Sequence, residues 1–322
     1  MRVPRSILAR YSPALDDLRW TPISGGFSGA NVWRGDDPTT FAPHFSLKAW
    51  QPEMSAERLA SIHAHLARAG HLLFIPRILP TAYSGTILTE AGRCWDVSRW
   101  MPGEGSRTLT VAQIAAACAA LARLHRCWPE AGFAPCPGVL NRLAVLTDFH
   151  THFAGKSAFL APVSQKLDAL LRRGREAVAR ASPSAVQALR QWEAVPLRIQ
   201  PCVRDLRAEH FLFRDSDVTG IVDFGAMAND CPAVDLARFF LNVPPEEECS
   251  VFASGLLAYQ NAVGHIDFPN DFVRLLARTG AICSVIGWLH RVLVERNTSF
   301  DDEAISVRLA SLVTRVEHFN PS

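Results

Sequence analysis

The stretch from Val203 to Gly225 constrains the fold of this chain more than any other segment. It begins V-R-D-L-R-A-E-H, continues through the apolar run F-L-F and the turn R-D-S-D, and ends I-V-D-F-G. Asp205 and Asp223 are 18 positions apart, which leaves room for one tight β-hairpin between them. An acidic side chain at the end of a buried strand is costly unless it is paired or binds a cation. We therefore expect the hairpin to bring both carboxylates to one site.

The residues around these two aspartates indicate a chemistry for them. An R-D-L tripeptide shortly before a D-F-G is the arrangement of a kinase-type phosphotransfer site. There the first Asp orients and deprotonates the attacking hydroxyl, and the second holds the metal that bridges the ATP phosphates. A lone Asp in a loop is usually a turn or cap residue, but this spacing favours function. We predict Asp205 as the catalytic base and Asp223 as a metal ligand.

His210 stands five residues after Asp205, where kinases have an Asn that faces the metal. Two interpretations are open for it. A neutral imidazole can ligate a metal, although it suits softer ions than Mg²⁺, so this interpretation favours Mn²⁺. Alternatively, His210 hydrogen-bonds Asp205 or Asp223 and has a structural role.

A glycine-rich loop and a lysine lie upstream. The loop S-G-G-F-S-G separates two predicted strands, and glycines let a backbone approach phosphates with its N–H groups. Its candidate phosphate-binding residues are Gly25, Gly26, Ser28 and Gly29. Lys48 follows on the next strand in F-S-L-K-A-W, which is similar to the V-A-I-K strand of kinases. Only three of the 33 basic residues are Lys, and a compact ammonium suits phosphate contact. Glu57, or alternatively Glu53, is its candidate acid partner.

Periodicity predicts two lobes, and the length of 322 residues suits that number. Residues 20–50 read as three strands, and residues 55–69 read as a helix capped by Ser55. The M-P-G-E-G-S break places the lobe boundary, so we predict an ATP-binding lobe over 1–101 and a catalytic and substrate-binding lobe over 102–322. From Thr110, which forms a capping box with Gln113, the pattern is mainly helical. The predicted fold class is α+β, with a small antiparallel sheet lobe and a larger helical lobe.

Composition excludes several classes of protein. A net charge of +2 without basic–aromatic runs argues against nucleic acid binding. The N-terminal charges do not fit a signal peptide, and no uninterrupted apolar run reaches the length of a membrane span. None of the eight Cys forms a C-x-x-C, which is typical of reduced thiols in the cytoplasm. We therefore expect a cytoplasmic protein that binds neither nucleic acid nor membrane; the sequence does not indicate an oligomeric state.

The order of these motifs resembles that of the aminoglycoside phosphotransferase and choline kinase-like family. The matching segments cover most of the chain and include, beyond those above, the L-A-R-L-H that ends at His125 and the D-C-P-A-V-D-L-A that begins at Asp230. The resemblance implies a protein-kinase-like fold and transfer of the ATP γ-phosphate to a hydroxyl of a small molecule. Such substrates are of the aminoglycoside, amino-alcohol or sugar type, and the reaction uses Mg²⁺ or Mn²⁺. The strand around Ser98 and Trp100 would be the hinge that meets adenine through its backbone.

The chain also departs from the family's pattern. The usual H-G-D-x-x-x-x-N reads V-R-D-L-R-A-E-H here. These replacements leave open whether a second metal ion binds, which metal binds, and whether the chain is catalytically active. A catalytically silent nucleotide-binding or scaffold protein is therefore the alternative function. A protein kinase is disfavoured because no A-P-E follows the D-F-G. Asp235, in the D-L-A segment, is expected to cap or anchor the start of a helix.

Overall fold

The computed structural model describes residues 3–23, 29–153, 164–241, 248–295 and 302–319. Contacts group the chain into two compact units. The first unit comprises Met1–Arg107, Arg126–Trp128 and Glu209–Met227, and the second comprises Thr108–His125, Pro129–Ala208 and Ala228–Ser322.

The first unit is built on antiparallel sheets. Its helices are α1 (Arg5–Ala9) and α2 (Ala56–Arg68), and its strands are β1 (Arg19–Ile23), β2 (Asn31–Asp36), β3 (Pro43–Ala49), β4 (Leu88–Glu90), β5 (Arg93–Arg99), β6 (Glu104–Gly105), β9 (Phe211–Arg214) and β10 (Asp217–Ile221). One sheet has the strand order β1-β2-β3-β5-β4, and the other has the order β10-β9-β6. The β9–β10 hairpin is the one predicted between the two aspartates.

The two faces of the five-stranded sheet have different characters because side chains alternate along a strand. Leu47 of β3 and Val97 of β5 are cross-strand neighbours and are fully buried in a core that also takes in α1. The adjacent pair, Lys48 and Asp96, therefore lies on the opposite face. Helix α2 begins as predicted, since the Ser55 hydroxyl accepts a hydrogen bond from the Arg58 N–H.

The β9–β10 hairpin belongs to the first unit, whereas the predicted lobes 1–101 and 102–322 place it in the second. Two glycines of the M-P-G-E-G-S segment account for this grouping. A Cβ on Gly103 would lie 2.7 Å from the Phe213 carbonyl oxygen, and a Cβ on Gly105 would lie 2.5 Å from that of Glu209. The missing side chains let this segment pair with β9 as β6. The segment thus continues the first unit instead of ending it.

The second unit is mainly helical. Its helices are α3 (Val111–His125), α4 (Pro137–Phe153), α5 (Gln165–Arg190), α6 (Ala233–Phe240), α7 (Glu248–Val263), α8 (Asn270–Leu289, followed by a π-helical turn His290–Val294) and α9 (Asp302–His318), and its strands are β7 (Gly132–Pro135), β8 (Pro196–Cys202) and β11 (Ala228–Asp230). The three strands form one antiparallel sheet in the order β11-β8-β7.

The core of the second unit follows the predicted helical stripe. Ile114, Cys118 and Leu121 of α3 are buried. The capping box is present: the Gln113 N–H donates to the Thr110 hydroxyl, and the Thr110 N–H donates to the Gln113 side chain. A Cβ on Gly255 would lie 3.0 Å from the Cys118 sulfur, so this glycine lets α7 pack closely on α3.

One helical stretch in the described part of the chain, Asn270–Val294, is long and apolar enough to cross a membrane by length and composition alone. Within its most apolar window, 61% is buried inside the protein. This burial is what a core helix shows, and the stretch is weak evidence for a membrane span.

Candidate functional site

Lys48 points toward the end of the β9–β10 hairpin. Its Nζ lies 3.3 Å from Oδ1 of Asp223, and the two side chains are 17% and 40% exposed. The ion pair therefore joins two residues that were each predicted to act on phosphates or metal. Glu57 and Glu53 are exposed, and the acid that pairs with Lys48 in the structure is Asp223.

The Lys48 ammonium also lies over an aromatic ring that sequence reasoning missed. Its Nζ is 3.7 Å from the centroid of the Trp50 ring. The Trp50 Nε1–H donates to Oδ2 of Asp96 at 2.7 Å, and Nε2 of His63 on α2 lies 3.1 Å from the same oxygen. The signal was present in the letters K-A-W, because residues two apart on a strand share a face.

Asp223 and His210 lie together at the base of the hairpin. His210 Nε2 is 3.9 Å from Oδ2 of Asp223, and the Val222 N–H donates to the His210 carbonyl. Asp223 has φ +67°, in the left-handed region that non-glycine residues rarely adopt. Such backbone strain is concentrated at functional sites. The distance exceeds that of a hydrogen bond, so both interpretations of His210 remain open.

These two side chains fit a divalent cation. A part-exposed carboxylate is a ligand for Mg²⁺ and Mn²⁺, and a neutral imidazole is a ligand for the softer of such ions. Asp223 presents one oxygen toward Lys48 and the other toward His210. If His210 ligates the cation, the donor set is one hard and one borderline ligand; the preference for Mn²⁺ stays a prediction.

The D-F-G segment is held in place by Arg58 of α2 and by Trp50, the residue after β3. A Cβ on Gly225 would lie 2.7 Å from the Trp50 ring, so only glycine allows this approach. The Gly225 carbonyl accepts a hydrogen bond from Arg58 at 3.1 Å. Phe224 is buried. These contacts fix the backbone on the C-terminal side of Asp223.

Of the other residues predicted to bind nucleotide in the first unit, Gly25, Gly26 and Ser28 lie outside the described residues. Gly29 has φ +70°, which favours glycine, and its carbonyl accepts from Arg93. Ser98 pairs with Ser46 within the sheet.

The Trp100 N–H donates to the His44 carbonyl at 2.9 Å. That N–H is therefore already used by the protein. The contact of Ser98 and Trp100 with adenine stays a prediction.

In the second unit, Asp205 is surrounded by two arginines. Its Oδ1 accepts from Nε and Nη2 of Arg238 at 2.9 and 2.7 Å, and from Nε of Arg207 at 3.2 Å. Its Oδ2 accepts from Nη2 of Arg207 at 2.9 Å. Burial alone would raise the pKa of Asp205, but the Arg238 charge and the Arg207 hydrogen bonds outweigh it and hold the pKa well below the usual range. Asp205 is thus an ionised acceptor and a weak base.

The loop that carries Asp205 is anchored by Asp235, which is fully buried. Its carboxylate accepts from the consecutive N–H groups of Val203 and Arg204 at 2.7 and 2.6 Å. Arg204 has φ +68°, and these hydrogen bonds stabilise that unfavourable backbone. The N-cap of α6 is Pro232, so Asp235 anchors this loop from within the first turn of α6 and does not cap the helix.

A buried hydrogen-bond chain extends from Asp235. Its Oδ2 is 3.0 Å from Nε2 of His125, and Nδ1 of His125 is 2.8 Å from the Tyr259 hydroxyl. Together with Cys202, His125 and Asp235 place three potential metal ligands close to one another. The Cys202 thiol, however, donates to the Asp230 carbonyl. Protein hydrogen bonds therefore account for this cluster without an ion.

The sequence profile of the Phosphotransferase enzyme family matches residues 19–271. No curated protein sequence matches the chain significantly. Among solved structures, the chain is similar to spectinomycin phosphotransferase APH(9)-Ia in complex with ADP and spectinomycin, at 14% identity and a TM-score of 0.64, over 94% of this chain and 89% of that one.

Two further structures match almost end to end. Amicoumacin kinase hAmiN, in complex with AMP-PNP, Ca²⁺ and Ami, is 12% identical with a TM-score of 0.60, over 99% of this chain and 97% of that one. Macrolide 2′-phosphotransferase MphH from Brachybacterium faecium, an apoenzyme, is 16% identical with a TM-score of 0.58, over 99% of each chain. At these identities the likeness shows the fold, and it confirms the predicted class of an antiparallel sheet part and a mainly helical part.

Proposed function

The chain belongs to the phosphotransferase enzyme family, and on this basis we propose that it transfers the γ-phosphate of ATP to a hydroxyl group of a small molecule. The observation that carries the proposal is the convergence of Lys48 and His210 on Asp223 in the first unit. An ammonium, a part-exposed carboxylate and an imidazole are the groups that would bind a nucleotide phosphate with its cation.

Each of these side chains has a distinct role in the proposed reaction. Lys48 binds the α- and β-phosphates, since its part-exposed ammonium lies beside Asp223 near the end of β3. Asp223, with His210, would hold Mg²⁺ or Mn²⁺. The bound cation would neutralise negative charge on the phosphates. The structures of related fold with ADP, or with AMP-PNP and Ca²⁺, support nucleotide and divalent cation use.

Asp205 orients the acceptor hydroxyl. Its depressed pKa keeps the carboxylate ionised, so it accepts a hydrogen bond from the hydroxyl at any pH near neutrality. A loose, metaphosphate-like transition state requires little proton removal before the phosphoryl group leaves ATP. Positioning of the hydroxyl oxygen by Asp205 therefore suffices, and strong basicity is unnecessary.

The acceptor is of the aminoglycoside, amino-alcohol or sugar type. The solved structures of similar fold include complexes with spectinomycin and hygromycin B, which supports a polyhydroxylated small molecule. Because the likeness extends to fold alone, the choice within this class rests on experiment.

A second candidate function is a catalytically silent nucleotide-binding protein. The observation that favours it is the engagement of both Asp205 oxygens by Arg207 and Arg238. The same carboxylate would have to accept the substrate hydroxyl. The presence of His210 in place of the usual Asn also favours the silent function.

ATP turnover distinguishes the two functions. The purified chain is assayed for ADP release with Mg²⁺ and with Mn²⁺ against a panel of amino-sugars, amino-alcohols and sugars, beside Asp205→Asn and Lys48→Met. We expect turnover on at least one acceptor, a loss of about 10²-fold or more in kcat for Asp205→Asn, and weaker nucleotide binding for Lys48→Met. Nucleotide binding without turnover on any acceptor, unchanged in Asp205→Asn, would establish the silent function instead.

A further inference from the structure

We propose that Trp50 is the positioning residue of Lys48, and that its indole ring takes the place of the carboxylate expected on α2. The inference rests on the proposed function, because it concerns how Lys48 is presented to the nucleotide phosphates. The Lys48 Nζ lies 3.7 Å from the Trp50 ring centroid, whereas Glu57 of α2 is exposed.

The ring and the ammonium are on one face of the sheet. Lys48 lies opposite Asp96 in the β3–β5 register. The backbone N–H of Trp50 continues this strand pairing, because it donates to the Cys94 carbonyl at 2.9 Å. Residues 48 and 50 therefore both point to the side on which α2 packs. The Lys48 side chain is 17% exposed, and a cation–π contact is strongest where water is partly excluded.

The indole is itself fixed in position. Its N–H donates to the buried carboxylate of Asp96 at 2.7 Å. His63 lies 3.1 Å from the same Asp96 oxygen and 2.8 Å from the Thr86 hydroxyl. The six-membered part of the ring lies close to Gly225, where an added Cβ would be 2.7 Å from one ring carbon. The hydrogen bond to Asp96 and the packing against Gly225 thus hold the ring that contacts Lys48.

An indole and a carboxylate differ in what they leave for the ligand. A carboxylate beside Lys48 would neutralise the ammonium, whereas a neutral ring holds it and preserves its full charge for phosphate. Asp223 also contacts Lys48, but Asp223 is the proposed ligand of the cation. A bound metal ion would therefore compete with Lys48 for Asp223 but not for Trp50.

Calorimetric binding of ADP and of adenosine tests the proposal, with Trp50→Leu and Trp50→Phe as variants. Phe keeps a ring beneath the ammonium, and Leu does not. We expect Trp50→Leu to weaken ADP binding about tenfold and to leave adenosine binding within about twofold, since Lys48 acts on phosphates. We expect Trp50→Phe to recover most of the ADP affinity. In a Lys48→Met background, Trp50→Leu should have no further effect on ADP.

Tryptophan fluorescence gives a second measurement, which needs only the conservative variant. ADP should change the emission of the wild type and of the control variant Trp288→Phe. Trp288 is also in a cation–π contact, with Arg291 at 5.4 Å from the ring centroid. The change should be absent in Trp50→Phe. Equal loss of ADP and adenosine affinity in Trp50→Leu, or an unchanged fluorescence response in Trp50→Phe, overturns the role of Trp50. Absence of ADP binding by the wild type overturns the proposed function itself.

Discussion

Asp205 and Arg238 form a two-pronged ion pair: Nε and Nη2 of the guanidinium both donate to Oδ1 of the carboxylate, at 2.9 and 2.7 Å. Arg238 stands in the D-L-A-R segment of α6, 33 residues after Asp205. The pair keeps the proposed catalytic carboxylate ionised and fixes its direction. Because the pKa of Asp205 is held well below its usual range, titration of Asp205 should not change the activity between pH 5 and 8.

The stability of the protein should depend on this pair in a pH-dependent way. The pKa of Asp205 is lower in the folded chain than in the unfolded one, where it is about 4. Its stabilising contribution is therefore complete above that pH and is lost as the pH falls below it. We expect Arg238→Gln to lower the free energy of unfolding by about 1–3 kcal/mol at pH 7.

Urea unfolding at pH 7 and at pH 3 measures this difference. The gap between wild type and Arg238→Gln should narrow at pH 3, because Asp205 is closer to protonation there. An equally large gap at both pH values would contradict the assignment of the ion pair as the source. In an Asp205→Asn background, Arg238→Gln should have a smaller effect at pH 7.

Asp235→Asn should destabilise the second unit. The asparagine side chain retains one acceptor oxygen for the two N–H groups of Val203 and Arg204, and it removes a buried charge next to His125. Loss of one partner of a fully buried group costs about 3 kcal/mol. The midpoint of urea unfolding reports the loss.

Asp168→Asn is the matched control for this substitution, because Asp168 pairs with Arg172 on the exposed surface of α5. Exposed pairs contribute little, so the control should change stability by less than about 0.5 kcal/mol. Similar losses for the two variants would show that Asp235 does not anchor the loop.

The metal preference should respond to His210. If its imidazole ligates the cation beside Asp223, Mn²⁺ supports turnover at least as well as Mg²⁺, and His210→Asn shifts the preference toward Mg²⁺ because an amide oxygen is a harder ligand. The ratio of kcat/KM with Mn²⁺ to that with Mg²⁺ should fall about tenfold. His265→Asn, at a side chain that is 79% exposed, is the control. An unchanged ratio in His210→Asn would leave the residue a structural role only.

The local signals in the sequence predicted local structure correctly. Ser55 caps α2, Thr110 and Gln113 form their capping box, and a hairpin separates the two aspartates. Each of these features depends on residues within a few positions of one another. Hydrogen-bonding groups and apolar spacing suffice to specify such structure.

The partners of the charged side chains could not be predicted in the same way. The acid that pairs with Lys48 is 175 residues away. Of the two arginines that pair with Asp205, Arg207 is a sequence neighbour, but Arg238 is 33 residues away on α6. Pairs of this kind form when the chain is folded, and no spacing rule encodes them. The assignment of Glu57 relied on proximity along the chain, which is a poor guide where a side chain faces away from the buried stripe.

Gly225→Ala should disturb Lys48 through Trp50. The added methyl group would lie 2.7 Å from one indole carbon and 3.2 Å from another, and the ring cannot turn away easily because Asp96 holds its N–H. The ring or the D-F-G backbone must shift, so we expect kcat/KM for ATP to fall about tenfold or more. Gly287→Ala, on α8 with open space around its Cα, should instead leave turnover unchanged and raise stability by about 0.5–1 kcal/mol. Steady-state kinetics and urea unfolding of both variants provide the comparison. Full activity in Gly225→Ala would mean that the close approach of Gly225 to Trp50 is not required for Lys48 to work.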